Sequence, residues 1–354
     1  MDSSGQKKDG QPVPVLSSGT SLSQLDPWRP LIDKFGRRHS YLRVSLTDRC
    51  NFRCTYCMPE KGVIWKGRDQ VLTLEEILRL TRVFVRLGID KVRLTGGEPT
   101  VRKGLTGLIS KLRSIDGLKT LLMTTNGSTL LDKALEYREA GLDGLNVSID
   151  SLNHDKFQKI TRGAKLDKIV GGLEQARMSG YRTIKVNVVV MPGVNDDELC
   201  DFVEFGRRLG VHVRFIEFMP FMGNEWTTDG VFSYRQMLDN IGKKFSLTPI
   251  SVDKSAVAKE FWVDGGPSTI GFVTSVTDDF CEGCNRVRLT ADGKLKTCLF
   301  LKAGTSLMEM CRQGAPDDDL AIAIHSGLAT KWAGHPDMQR WASFDDRAMV
   351  QIGG

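Results

Sequence analysis

Residues 41–57 read Tyr41-Leu-Arg-Val-Ser-Leu-Thr47-Asp-Arg-Cys50-Asn-Phe-Arg-Cys54-Thr-Tyr-Cys57, and the rest of the chain is best read outward from them. Tyr41–Thr47 predicts a strand, and the strand runs straight into a loop with three closely spaced cysteines. Beyond the loop, Thr73-Leu-Glu-Glu76 is a capping box that opens a helix to Leu87, closed by Gly88. Leu74, Ile77, Leu78, Thr81, Phe84 and Val85 share one face of that helix. Lys91–Thr95 is the next strand. Helix 105–114, strand 120–124, helix 131–140, strand 144–149, helix 166–179, strand 183–190, helix 196–209 and strand 211–217 follow.

This alternation of six strands with helices predicts parallel βα units. The expected fold is α/β: a partial (β/α)6 TIM-like barrel over residues 41–221. Residues 1–40 read as a disordered lead-in, rich in Ser, Gly, Gln and Pro at the start, with no apolar core of a signal peptide. From Met222 to Phe280 the pattern looks irregular. Residues 222–354 are expected to form a smaller region that closes the open side of the barrel.

The chain has 354 residues, 40% hydrophobic and 26% charged, the balance of a soluble globular protein. No apolar run approaches the roughly 18 residues of a membrane span. The net charge of +6 suits an anionic small molecule better than a dedicated nucleic-acid surface. Neither a membrane nor a nucleic acid is therefore an expected partner. The N-terminus carries no usable targeting signal, so the compartment stays open.

The predicted strand ends carry unusual chemistry. Asp48, Arg49 and Cys50 follow the first strand, Gly96-Gly97-Glu98-Pro99 the second, and Thr124-Thr125-Asn126-Gly127 the third. The fourth holds Ser148 and ends at Asp150, the fifth carries Lys185 and Asn187, and the sixth Arg214, Glu217 and Met219. In βα barrels the working residues sit at such ends. Any one of these segments is an ordinary turn; turn chemistry does not readily explain all six on one face.

Eight cysteines are present, and six fall into two triads. Cys200 and Cys311 stand alone and read as small buried hydrophobes. Cys50, Cys54 and Cys57 form C-x3-C-x2-C, close enough to wrap one inorganic cube with a thiolate on each of three irons. The fourth iron would be left without a protein ligand. Cys281, Cys284 and Cys298 form C-x2-C-x13-C, again three donors. Zinc is the alternative for each triad, although a nearby fourth Cys or His is missing at the first. An electron-relaying cluster is a further alternative at the second.

The cysteine loop after the first strand, followed by Gly-Gly-Glu-Pro after the second, resembles the radical S-adenosylmethionine superfamily over about residues 41–219. Within it, LRVSLTDRCNFRCTYCMP, VRLTGGEPTVR, TTNG, NVSIDSL, KVNVVVMPGVNDDE, VRFIEFMPF, FCEGCNRVRLTADGKLKTCLF and the final Gly353-Gly354 resemble the GTP 3′,8-cyclase family of molybdenum-cofactor biosynthesis. That resemblance implies two [4Fe-4S] clusters, S-adenosylmethionine as cofactor and GTP as substrate. Cys50, Cys54 and Cys57 would hold the first cluster, and Cys281, Cys284 and Cys298 the second, whose open iron takes the guanine. Tyr56, Gly97, Ser148 and Met219 would contact S-adenosylmethionine. Arg43, Arg93, Thr124, Lys185, Arg286, Val287 and Arg288 would surround GTP, with Lys91 and Arg214 as additions; Arg286 and Arg288 would also serve the catalytic step. A deoxyadenosyl radical would take hydrogen from ribose C3′, the carbon radical would attack purine C8, and a reduction would complete 3′,8-cyclo-7,8-dihydro-GTP.

The same resemblance implies a homodimer, an electron donor it does not identify, and a functional link to the next enzyme, cyclic pyranopterin monophosphate synthase. A cytoplasmic or mitochondrial-matrix setting follows from it. It also implies that the Gly353-Gly354 tail reaches into the site. The basic residues fit on physical grounds: Arg43, Arg93, Lys185 and Arg214 lie on different predicted strands, and guanidinium forks match phosphate oxygens. Arg286 and Arg288, two apart on a predicted strand, point to one face. Two rival readings stand beside this one: a radical enzyme acting on a peptide or another small molecule, and a non-catalytic protein stapled by metal.

Overall fold

A computed structural model describes residues 26–278, 280–335 and 347–353. The first strand, β1 (Tyr41–Ser45), leads through the cysteine loop to α1 (Leu74–Arg86). There follow β2 (Lys91–Thr95), α2 (Leu105–Arg113), β3 (Thr120–Thr125), α3 (Leu130–Glu139) and β4 (Gly144–Ser148). Helices α4 (His154–Thr161) and α5 (Leu166–Met178) precede β5 (Thr183–Val190), and α6 (Leu199–Leu209) precedes β6 (His212–Glu217). The remainder holds α7 (Tyr234–Gly242), β7 (Leu247–Ile250), β8 (Lys259–Val263), β9 (Thr269–Val273), β10 (Arg286–Leu289), β11 (Leu295–Lys296), α8 (Leu307–Arg312), α9 (Asp317–Ala329) and α10 (Met349–Ile352).

Strands β1 to β6 pair in order and in parallel, as the alternation predicts. Period-two alternation sorts each strand into two faces. Leu42, Val44, Val92 and Leu94 are fully buried in the main hydrophobic core with Leu80 and Phe84 of α1 and Leu108 of α2. Arg43 and Arg93 therefore lie on the opposite, inner face. The α1 start is the predicted capping box: Thr73 Oγ1 accepts from the Glu76 amide at 3.1 Å and Glu76 Oε2 accepts from the Thr73 amide at 2.8 Å. Such a cap stabilises a helix by about 1 kcal/mol.

Past β6 the structure corrects the sequence reading. Residues 222–280 are not irregular: they form α7 and the strands β7, β8 and β9. These strands are short, and Gly265-Gly266-Pro267 forms the hairpin turn between β8 and β9. The C-terminal region then does something no local pattern discloses. It adds strands to both edges of the six-stranded unit, β10 parallel to β1 and β9 parallel to β6. The resulting sheet has the order β11-β10-β1-β2-β3-β4-β5-β6-β9-β8-β7.

Three smaller differences follow. The expected lead-in lies partly outside the described residues, but 26–40 are folded: Leu31 and His39 are fully buried, and Asp33 binds Arg37 at 2.7 Å and His39 at 3.1 Å. Helix α4 has no predicted counterpart, and α6 starts at Leu199 after a 3-10 turn over Asp196–Glu198. Cys200 and Cys311 are half-buried beside the core rather than inside it. No helix among the described residues is long and apolar enough to cross a membrane.

Candidate active site

The Cys50–Cys57 loop leaves the C-terminal end of β1 and is pinned on several sides. The Arg53 and Thr55 amides donate to the Thr161 and Ile160 carbonyls at 3.3 and 2.9 Å, which ties the loop to the end of α4. Arg162, in the left-handed region at φ 54°, donates back to the Arg53 and Met58 carbonyls at 3.2 and 3.1 Å. Cys50 Sγ accepts from the Phe52 amide at 3.3 Å and faces Asn126 Nδ2 at 3.9 Å. Tyr56 donates its hydroxyl to Asp150 Oδ2 at 2.9 Å, and Asp150 Oδ1 accepts from the Val189 amide at 2.9 Å. One carboxylate thus fixes the loop to the ends of β4 and β5.

Gly-Gly-Glu-Pro is the second brace. The Gly97 amide donates to the Thr47 carbonyl at 2.7 Å and the Glu98 amide to the Arg49 carbonyl at 2.8 Å. A Cβ at Gly97 would collide with the Arg49 carbonyl, so only glycine lets this backbone lie against the Asp48-Arg49-Cys50 segment. Glu98 is almost wholly buried and satisfied: its carboxylate accepts from Thr100 Oγ1 and Thr125 Oγ1, each at 2.7 Å, and from the Asn126 amide at 2.7 Å. The sequence marks Glu98 and Asp150 as strand-end residues without their partners, since both bonds join distant segments.

Burial dominates the electrostatics here. It pushes the Cys50 thiol up to about 11, helped by Glu98 and opposed by the Phe52 amide. Cys54 and Cys57 are also raised, by burial first and then by Asp150 and neighbouring thiols. Burial lifts Asp150 to about 6. The leading influences on all three thiols favour the neutral form. Among the described residues no three His, Cys, Asp or Glu side chains converge tightly enough for one metal ion. In a cube each thiolate binds its own iron. Three thiols on one braced loop fit such a cluster.

The inner face of the sheet is basic. Arg43 is in register with Arg93 on one side and Arg288 on the other, so three guanidinium side chains leave neighbouring strands at one level. Adjacent strands lie about 4.8 Å apart, and like charges placed directly side by side repel. Arg93 Nε donates to the Tyr41 hydroxyl at 2.5 Å, and its Nη1 reaches Thr124 Oγ1 at 3.3 Å. Lys91 Nζ sits 4.8 Å from the centre of the Tyr41 ring. Burial raises the Tyr41 phenol, but Arg93, Arg43 and Lys91 outweigh it and bring it down to about 7. Burial lowers Arg43 to about 9 and Lys185 to about 8. Among the described residues, the Nε atoms of Arg43, Arg214 and Arg288 and Nη1 of Arg286 are buried without a hydrogen-bond partner. Orphaned buried donors of this kind call for an anionic ligand.

Cys281, Cys284 and Cys298 meet at one cavity of about 60 Å³ with Arg286, Arg288 and Phe280. Arg286 stacks over the Phe280 ring at 4.8 Å. Burial raises Cys284, yet Arg286 and Lys331 overcome it and hold the thiol near 6. Sequence reasoning misses Lys331, whose ammonium is buried and donates to the Arg286 carbonyl at 3.2 Å and to the Thr297 carbonyl. Three thiols in one cavity, one of them held toward the thiolate, fit a second metal group. Val287 turns its side chain into the main core, leaving only its backbone toward the cavity side.

The remaining predicted positions sit at the same end of the sheet. Gly97 follows β2, Ser148 ends β4, and Met219 follows β6, where it packs beside Phe221, Phe300 and Ile352. The chain tail arrives there too. Gly353 adopts φ 84°, accepts a hydrogen bond from Thr95 Oγ1 at 3.0 Å, and lies so close to Ser45 that a Cβ would clash. Gly354 lies outside the described residues.

Comparison with known proteins agrees with this geometry. Residues 44–206 match the Radical SAM superfamily and residues 211–336 match Molybdenum Cofactor Synthesis C. The chain is 46% identical over 347 residues to the mitochondrial GTP 3′,8-cyclase of Arabidopsis thaliana, covering 96% of this chain and 89% of that one. It is 42% identical to the GTP 3′,8-cyclase of Rhodopirellula baltica, covering 96% of each. It is 44% identical to molybdenum cofactor biosynthesis protein 1 of Mus musculus, spanning 98% of this chain and 56% of that protein's length. The crystal structure of Streptococcus suis SuiB bound to S-adenosylmethionine shares the fold with a TM-score of 0.57 at 12% identity, over 84% of this chain and 69% of that one. With the braced cysteine loop, the basic inner face and these relatives together, the chain belongs to the GTP 3′,8-cyclase family of radical S-adenosylmethionine proteins.

Proposed function

We propose that the chain converts GTP to (8S)-3′,8-cyclo-7,8-dihydroguanosine 5′-triphosphate, the first step of molybdenum-cofactor biosynthesis. The observation that carries the reading is the row Arg288–Arg43–Arg93, three arginines abreast on the inner face, of which Arg288 and Arg43 keep a buried Nε without a partner among the described residues. Such a row is costly in the empty chain and favourable around a polyphosphate. Cys50, Cys54 and Cys57 hold the first [4Fe-4S] cluster in this reading, and Cys281, Cys284 and Cys298 a second. When bound, the first cluster and S-adenosylmethionine supply a 5′-deoxyadenosyl radical able to take hydrogen from ribose C3′.

The chain's own residues bind, orient and exclude water. Tyr56 and Gly97, with Ser148 and Met219, seat S-adenosylmethionine against the loop that Glu98 and Asp150 brace. Arg43, Arg93, Lys185 and Arg214 bind the phosphates, with Lys91 and Thr124 beside them. Arg286 and Arg288 sit between the phosphates and the second triad and orient the purine, a positioning effect. The chain end at Gly353 shields the region between the ends of β1 and β2 from solvent. Residues 41–221 form the radical-generating unit and supply the phosphate-binding side chains, and 222–354 hold the second cluster and the purine-orienting Arg286 and Arg288. The protein works as a homodimer fed by a separate electron donor, and its product passes to cyclic pyranopterin monophosphate synthase.

Anaerobic reconstitution tests the reading. About eight irons and eight sulfides per chain, with S-adenosylmethionine cleaved and GTP cyclised, are expected. Cleavage of S-adenosylmethionine without a cyclised nucleotide, but with turnover of a peptide, would replace GTP with another substrate.

A further inference from the structure

Within the basic inner face lies one carboxylate that the roles above do not use. Glu260, on β8, accepts from Arg214 Nη2 at 2.7 Å and Lys185 Nζ at 3.4 Å, and stands 3.6 Å from His212 Nε2. Register explains how it arrives there. Arg214 on β6 pairs with Gly271 on β9, and Gly271 pairs with Glu260 on β8. In-register residues share a face, so the intervening position points inward but carries no side chain. Glu260 and Arg214 are two strand spacings apart, roughly 10 Å at the backbone. They meet by reaching over a glycine. A Cβ at Gly271 would press on His212 Nε2 at 3.1 Å, so the gap is already nearly filled.

The contacts are partly buried on every side, with side-chain exposures of 19% for Glu260, 17% for Arg214 and 23% for Lys185. His212 donates to or accepts from Thr269 Oγ1 at 2.7 Å, and burial with nearby Lys185 brings it down to about 3, so it is neutral. Burial raises Glu260, but the Lys185 and Arg214 cations beside it outweigh that and hold it below the usual carboxylate range. One negative charge is therefore shared by two cations proposed as phosphate ligands.

We propose that Glu260 is an internal counter-anion that holds Arg214 and Lys185 in the nucleotide-free protein and is displaced from them by the substrate's phosphates. It is a specificity-determining residue rather than a catalytic one. The cost of release falls on a ligand according to how many of the two cations it engages. A long phosphate chain takes both and carries the whole cost, whereas a single phosphate avoids most of it, so Glu260 narrows the preference for long chains. The role deepens the GTP reading and rests on it for the identity of the nucleotide, but the anion exchange itself is testable without GTP.

The experiment titrates inorganic tripolyphosphate, pyrophosphate and phosphate into the reconstituted full chain by calorimetry at low salt, without divalent cations. Glu260→Gln is expected to bind tripolyphosphate about tenfold more tightly than the unaltered protein, with the gain shrinking as salt rises. The preference for tripolyphosphate over phosphate should widen, and S-adenosylmethionine binding should stay the same. Glu260→Ala, which removes the side chain altogether, should tighten binding in the same direction. Equal or weaker tripolyphosphate binding in both variants would overturn the proposal, as would failure of the unaltered protein to bind tripolyphosphate. GTP turnover is read separately. Tightening without cyclisation by the unaltered protein removes the GTP reading alone, and cyclisation without tightening removes only this one.

Discussion

The two cysteine triads each offer three thiols and are placed in opposite fields. Around Cys50, Cys54 and Cys57 burial pushes the thiols upward, and the nearby carboxylates Glu98 and Asp150 add to that push. Around Cys284 the neighbours are Arg286 and Lys331, and the thiol is drawn down to about 6. The first surroundings suit a cationic guest, as the sulfonium and ammonium groups of S-adenosylmethionine are. The second suit an anionic guest, as a nucleotide is. The difference shows that charge, more than cysteine spacing, separates the two halves of the site.

The strongest way to break the comparison is to remove one thiol from each side. Cys54→Ser should abolish S-adenosylmethionine cleavage altogether and reduce iron from about eight to about four per chain. Cys284→Ser should lose a similar amount of iron yet still cleave S-adenosylmethionine without cyclising GTP. Cleavage products and bound iron, measured together, check both; a Cys284→Ser protein that no longer cleaves S-adenosylmethionine would merge the two sites into one.

A finer test removes charge and leaves the thiols. Arg43→Met takes the centre out of the arginine row, and loss of charged hydrogen bonds to phosphate should weaken GTP binding roughly 10- to 100-fold. Equilibrium binding of S-adenosylmethionine should change less than about twofold, because Arg43 adds charge to the anion side only. A parallel loss of both ligands would mean the fields are not separate.

The smallest effect concerns Tyr41. Its phenol lies near 7 in the fold against an ordinary 10.0. A group whose acid dissociation is eased by folding stabilises the protein fully above its unfolded value and loses that stabilisation as pH falls through the folded one. The window is therefore about pH 7 to 10, with stability rising across it. Tyr41→Phe should flatten that slope in thermal melts and remove the phenolate signal from ultraviolet titration near neutral pH. An unchanged profile would mean that the basic row does not act on Tyr41 as its geometry implies.

Much of this architecture is legible in the amino-acid sequence. Strands β2 and β5 match the sequence reading residue for residue, because β-branched and aliphatic runs there are bounded by helix stops. The cysteine loops, the glycine pair and the basic strand positions stand out as patterns. Helix α4 does not, since its short polar start at His154 follows an Asn153 cap without a long apolar stripe. Strands β7 to β9 are hidden by their brevity and by the Gly-Gly-Pro turn. Lys331 and Glu260 are invisible for a different reason. Their roles come from register and long-range packing, and no local pattern marks a carboxylate that reaches a cation across a glycine.

The attachment of β9 to β6 and of β10 to β1 has a practical consequence. A single C-terminal segment stitches both borders of the central sheet, so cutting near residue 221 would strip two strand edges at once and invite aggregation. Chimaeras that exchange this segment between relatives must satisfy two alignments simultaneously, Arg43 with Arg288 and Phe215 with Phe272. A slip of one residue at either seam would turn a guanidinium outward and an aromatic ring inward. A change in the C-terminal segment is thereby felt at both borders of the six-stranded unit.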